Sequence, residues 1–207
     1  MFQANFPTTL RLSGDERRQA IVDAVLAKAA SVSPAMISTT DIARAVGLSQ
    51  GAVFKHFTRK EDIWLAVADT IADRLMTVVD AAVARAETPW LALHDVFMAH
   101  VDFVVTQPGV PRFVFHELQQ AAESPVKQRI RKLMSSYRER LIALLEQLQQ
   151  AGELAVEVDK QAAAGLFLGG IQGLVIQSML APPGADLRDQ ATAVVAIFQR
   201  GIQRELA

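Results

Sequence analysis

The sequence predicts an all-α protein of about nine helices: an N-terminal three-helix head, a long connecting helix and a C-terminal helical bundle. Three observations carry that prediction. Apolar residues recur at spacings of three and four along most of the chain, as in Ile63, Val67, Ile71, Leu75 and Val78, the spacing that puts them on one face of a helix. A capping residue followed by proline opens a new helix twice, at Thr88-Pro89 and Ser124-Pro125. Strand-like alternation is confined to the short link GELAVEV, residues 152–158, and no internal repeat is present.

Taken in order, Ser13-Gly14-Asp15-Glu16 forms a capping box that opens the first helix, whose apolar face is Ala20, Ile21, Ala24, Val25 and Ala29. Arg17 and Arg18 near its start are either phosphate contacts or solvated surface groups. Thr39 is the expected cap of a second helix, from Thr40 to about Val46, with Ile42, Ala43 and Val46 inward. Gly47 falls where the chain must turn, and Ser49 caps a third helix from Gln50 to about His56. Thr58-Arg59-Lys60-Glu61 fits a further capping box. The fourth helix, Arg59 to about Arg85, is some 40 Å long at 1.5 Å per residue, too long to serve the small head alone. It therefore joins two domains, residues 1–58 and 59–207.

Beyond it, helices are expected over Pro89 to Thr106, Arg112 to about Ala122 after the breaks at Pro108-Gly109 and Pro111, and Pro125 to Ala151, with a stop at Gly152. Asp159 caps an eighth helix that ends near Ala181. Pro182-Pro183-Gly184 breaks the chain before a ninth, Asp186 to Leu206.

Two short helices joined by a glycine turn make a helix-turn-helix, whose second helix enters the DNA major groove. Here that helix would expose Gln50, Gly51, Ala52, Lys55 and His56. Glutamine pairs with adenine, and lysine or histidine with the acceptors of guanine. Gly51 and Ala52 keep the helix slim enough to approach the base edges. Thr39, Thr40, Ser49 and Lys60 lie at helix N-termini, where free N–H groups and the helix dipole favour phosphate.

The stretch from Ser38 to Glu61 resembles the DNA-binding signature of the tetracycline-repressor (TetR) family of bacterial regulators. The matching residues are Thr39, Ile42-Ala43, Gly47-Leu48-Ser49, the aromatic Phe54, His56-Phe57 and Lys60. The chain departs from the family at Phe54, where tyrosine is usual and its hydroxyl commonly meets a phosphate. Its absence removes one polar contact, about 1 kcal/mol. The resemblance implies double-stranded operator DNA as a partner and an effector pocket within the C-terminal bundle.

Charge agrees with that division. The chain as a whole carries a net −1, but residues 1–60 hold eight Lys/Arg against four Asp/Glu, and the remainder thirteen against eighteen. The head is thus +4 and the rest −5, as expected when only one end faces phosphates. The absence of cysteine excludes disulfides and thiolate sites and suits a cytoplasmic protein. The opening residues lack an apolar signal region and are read as a disordered arm.

Bulky groups crowd the bundle, with histidines and glutamines among them. An apolar cavity with a few polar groups between bundle helices is a usual ligand site. Phe97, His100, Val101, His116, Met134, Tyr137 and Gln172 are the candidate pocket residues. No cluster of Lys or Arg awaits an anion, so the small-molecule effector is expected to be apolar or amphipathic.

Gly165, Gly169, Gly170 and Gly173 lie in one helix, where each internal glycine costs about 1 kcal/mol relative to alanine. A stripe of small residues admits a second helix closely. With Val194, Ile197 and Phe198 of the ninth helix it makes a candidate homodimer face, the alternatives being close packing within the chain or glycines that make room for the effector. The run Ala162 to Ala181 is also long enough to span a bilayer. Gln172, Gln177 and Ser178 within it, and the lack of aromatic or basic flanks, argue for a buried helix and against a membrane partner.

Other chemistries find no support. The four histidines include no pair four apart and no H-E-x-x-H, so no metal site is expected. There is no G-x-S-x-G elbow, no phosphate-binding glycine loop and no paired carboxylates in an apolar setting, so neither catalysis nor a cofactor is expected. The function these features predict is a homodimeric, ligand-responsive transcriptional regulator, a repressor released from a palindromic operator by its effector. The alternative is a helix-turn-helix protein whose bundle serves only dimerisation or a protein partner.

Overall fold

The computed structural model describes residues 13–180 and 187–204. Among these, nine α-helices follow one another without strands: α1 (Gly14–Ala29), α2 (Thr39–Ala45), α3 (Gln50–Phe54), α4 (Lys60–Arg85), α5 (Pro89–Thr106), α6 (Gly109–Gln119), α7 (Pro125–Gln150), α8 (Lys160–Leu180) and α9 (Leu187–Ile202). The N-terminal arm, the Pro182-Pro183-Gly184 break and the expected ends of α9 at Asp186 and Leu206 lie outside the described residues.

Side-chain caps set most helix starts. Ser13 and Glu16 form the reciprocal box of α1, with bonds of 2.7 and 3.2 Å. At α2 the cap is Ser38, one residue before the expected Thr39. The reason lies three residues on: Asp41 returns a bond to the Ser38 backbone N–H at 3.2 Å, whereas Ile42 could return none to Thr39. Hydrogen bonds from the Ser38 hydroxyl and backbone hold the Asp41 carboxyl below its ordinary range. Likewise α4 is capped at Arg59 and not at Thr58, because Asp62 accepts from the Arg59 N–H at 2.9 Å and from its guanidinium at 3.1 Å.

Two boundaries move for other reasons. Helix α6 begins at Gly109, three residues before the expected Arg112. Pro111 then occupies its first turn, where no backbone N–H is needed, and so does not break it. Helix α3 ends at Phe54 because its last turn tightens: the Lys55 and His56 N–H groups reach back three residues, to Ala52 and Val53. The link after α7 is tied to the chain's end, where the Ala155 N–H donates to Ile202 and the Arg204 N–H to Glu153.

Helix α4 packs on α1 in the head and on α5 and α7 in the bundle. Its buried side runs from Ile63 and Val67 to Val79 and Ala82. Three aromatic rings lock α5, α8 and α9 together: Phe97 meets Phe167 at 5.1 Å and Phe167 meets Phe198 at 5.4 Å, both edge to face. The head meets the bundle a second time at Gly109, where an added Cβ would sit 1.9 Å from the Leu26 carbonyl oxygen of α1. Arg74 of α4 ties this joint, reaching Asp23 at 2.6 Å and Gln107 at 3.4 Å.

The glycines of α8 divide. Gly170 packs inside the chain, since a Cβ there would lie 3.3 Å from Val194 and 3.5 Å from Phe97. Gly165, Gly169 and Gly173 face open space, with nothing within 4 Å of an added Cβ. Close packing within the chain therefore accounts for one glycine of the four. Helix α8 has the length and composition to cross a membrane, yet it packs on α5, α7 and α9 within the bundle.

Candidate nucleic-acid interface and effector cavity

Helix α3 owes its presentation to local devices. Gly47 takes a φ of 66°, which glycine adopts without steric cost, and the Ser49 hydroxyl accepts from the Ala52 N–H at 3.2 Å. Val53 and Phe57 anchor the inner face and are buried. Outward stand Ser49, Gln50, Gly51, Phe54 and Lys55, all exposed, with Ala52 and His56 half-buried beside them. Nothing lies within 4 Å of a Cβ built on Gly51, so the backbone itself is open there. The Lys55 ammonium has no hydrogen-bond or ion-pair partner among the described residues.

The neighbouring polar groups take defined places. Gln50 donates to the Thr39 hydroxyl at 2.7 Å, bracing α3 against the start of α2. Thr40 is exposed in the first turn of α2. Lys60, at the start of α4, holds its ammonium 4.5 Å from the Trp64 ring. Arg18 is exposed but not free. Its guanidinium stacks 4.1 Å above the Phe57 ring and donates to the His56 carbonyl, fastening α1 to the end of α3. No periodicity marks such a brace, which depends on two residues 38 apart.

In the bundle, a cavity of about 190 Å³ lies among α4, α5, α6, α7 and α8. Of the seven expected pocket residues, His100, Met134 and Gln172 line it. Phe97, Val101 and Tyr137 are fully buried behind the wall. His116 lies off it, its ring 3.4 Å from Gln120. The face that α6 turns to the cavity is Val110, Pro111, Val114, Phe115 and Leu118, a helical stripe in which position 116 is out of register. Their spacing is readable in the sequence, and Phe115 is among the bulky groups that crowd the bundle.

Besides the exposed Gln172, the wall's polarity comes from one pair, the half-buried His100 and the fully buried Tyr137. His100 Nδ1 and the Tyr137 hydroxyl lie 3.2 Å apart, rings tilted at 39°. Burial pushes the imidazole down to about 4, so it is neutral near pH 7. Burial also raises the phenol further from ionisation. The one cation on the lining, Arg131, is exposed and already paired with Glu123 at 2.5 Å. A larger crevice, about 320 Å³, lies at the foot of α4 between Lys60, Trp64 and Glu117. Burial raises the Glu117 carboxyl, against the pull of His116 and Trp64. Among the described residues no three His, Asp or Glu side chains gather as metal ligands would.

The expected dimer residues also separate. Phe198 is buried in its own chain's core against Phe167, because the stripe through Ala191, Val195 and Phe198 is the inner face of α9. Val194 is half-buried against Gly170. Ile197 is 63% exposed, and Leu166 and Ile176 of α8 are 64% and 49% exposed.

Comparison with known proteins agrees with this architecture. Residues 93–204 match the C-terminal domain of BetI-type transcriptional repressors, and residues 30–67 match bacterial regulatory proteins of the tetR family. The chain is 24% identical to an HTH-type transcriptional regulator AcrR of Shigella flexneri, over 88% of this chain and 87% of that one. It is 23% identical to a nucleoid occlusion factor SlmA of Haemophilus ducreyi, covering 89% and 93%. Among solved structures, the transcriptional regulator FadR of Bacillus subtilis in complex with stearoyl-CoA superimposes with a TM-score of 0.78. The two are 21% identical over 89% of this chain and 98% of that one.

Proposed function

The chain belongs to the TetR family of bacterial transcriptional regulators, and from that premise we propose that it is a cytoplasmic homodimeric repressor released from its operator by a small apolar effector. One observation carries the reading: α3 stands exposed on the basic head while an apolar cavity opens in the bundle, and α4 touches both. Residues 1–58 form the DNA-binding domain and 59–207 the effector and dimerisation domain. Two copies of α3 read successive major grooves of a palindrome, their centres a helical turn or a multiple of it apart. Lys55, His56 and Gln50 meet bases; Thr39, Thr40, Ser49 and Lys60 meet phosphates.

The dimer face lies where Gly165, Gly169 and Gly173 leave α8 bare beside exposed Leu166, Ile176 and Ile197. An apolar patch of this kind marks an interface in a soluble protein. Burial of that face in the dimer, and no bilayer, accounts for the apolar composition of α8. An effector filling the cavity shifts α6 against α1 and tilts α4. By linkage the effector weakens DNA binding as much as DNA weakens effector binding, typically about 1–3 kcal/mol. Selecting bound sites from random DNA tests the reading. A palindrome whose half-sites lie on one face of the duplex is the expected outcome, and recovery of no shared sequence contradicts it.

A second reading keeps the DNA binding and drops the effector, leaving the bundle to dimerisation or a protein partner, and the exposed apolar residues of α8 and α9 favour it. Operator affinity unmoved by any apolar ligand that enters the cavity would select it.

A further inference from the structure

The effector cavity has almost no polar chemistry, so the little it has decides what it accepts. Tyr137 is fully buried, and its hydroxyl has no hydrogen-bond partner among the described residues except His100 Nδ1, 3.2 Å away. A phenol has one proton to donate. Were Nδ1 the protonated nitrogen, that phenolic proton would stay buried and unpaired, a costly arrangement. The phenol therefore donates to Nδ1, which places the proton of the neutral ring on Nε2. His100 borders the cavity, and its Nε2 has no partner among the described residues. The pair thus presents one oriented N–H donor to a largely apolar chamber, whose other polar side chains, Gln172 and Arg131, are exposed.

We propose that this cavity selects neutral, apolar molecules bearing one carbonyl-type oxygen, which accepts from His100 Nε2–H while Tyr137 fixes the ring's tautomer. The proposal rests on the reading of the cavity as the effector site and names its ligand class. A carboxylate is disfavoured because the only cation on the lining, Arg131, is exposed and held by Glu123. A guest that only donates meets no acceptor on the ring and, among the lining side chains, finds one only in the exposed Gln172 amide. Size sets a further limit. At about 190 Å³ the chamber exceeds modestly the ~150 Å³ engineered cavity that admits benzene, so one aromatic ring with a short carbonyl group fits it.

Calorimetric titration of the full-length protein with acetophenone, α-methylstyrene (the same shape with a CH₂ group in place of the oxygen) and benzoate tests this. Acetophenone is expected to bind about tenfold more tightly than α-methylstyrene, as one hydrogen bond permits, and more tightly than benzoate. H100F should abolish the difference while both neutral probes still bind. H100Q, which keeps an N–H, should retain most of it, and Y137F should narrow it by releasing the tautomer. Equal binding of the two neutral probes, a preference that survives H100F, or tighter benzoate overturns the inference and leaves the cavity reading standing. If no probe binds, the cavity reading fails and this inference fails with it.

Discussion

The head and the bundle use polar groups in opposite ways. In the head they are many, exposed and, the Arg18–His56 brace excepted, arranged by neighbours along the chain: Ser38 with Asp41, Ser49 with Ala52, Gly47 at a positive φ. In the cavity they are few, and the central pair joins two different helices, Tyr137 lying 37 residues from His100. A surface that reads a charged polymer needs many weak, hydrated contacts. A chamber that sorts small apolar molecules works by leaving nearly every polar group out. The joint between the two is correspondingly tight, with Gly109 against the Leu26 carbonyl and Arg74 bonded on both sides.

The joint offers the sharpest way to break that contrast. An added methyl in G109A would collide with backbone, which cannot rotate away, so a loss of about 3 kcal/mol is expected. Urea denaturation should show it, and the α1–α6 contact should loosen while α3 stays folded. Unchanged stability would mean that head and bundle touch more loosely than described.

Acid tests the cavity wall. His100 titrates near 6.5 when unfolded and at about 4 when folded. Between those values the unfolded chain binds the extra proton, so stability falls as pH falls through that window. Unfolding free energies from urea denaturation at pH 7 and pH 4.5 should therefore differ less in H100Q than in the native chain, by about 2–3 kcal/mol. The head gives a smaller effect. Removing the α3 cap in S49A should cost about 1 kcal/mol, with DNA affinity falling more than global stability because α3 has only five residues to lose.

The same contrast explains what could be read from the chain in advance. The long helices announced themselves through caps and prolines, and Pro89–Thr106 and Pro125–Gln150 stand where expected. The α3 surface was legible because its neighbours in space are its neighbours in sequence. Misplaced starts, Thr39 for Ser38 and Thr58 for Arg59, came from weighing the capping hydroxyl above the acid that must answer it three residues later. The cavity was less legible, because its wall depends on the rotation of five helices about one another. Phe97 and Tyr137 have the composition of a pocket residue, but their helices turn them into the packed layer behind it. Phe198 was placed on the dimer face for the same reason, where only the register of α9 distinguishes it from Ile197.

The account stands or falls on α3 as the element that reads DNA. Fluorescence anisotropy with a selected operator, comparing the native chain with the K55A/H56A double variant, measures this directly. The double variant should lose at least about thirtyfold in operator affinity, with its dimer and circular dichroism unchanged. Operator binding that survives the double change in a folded protein would contradict the account.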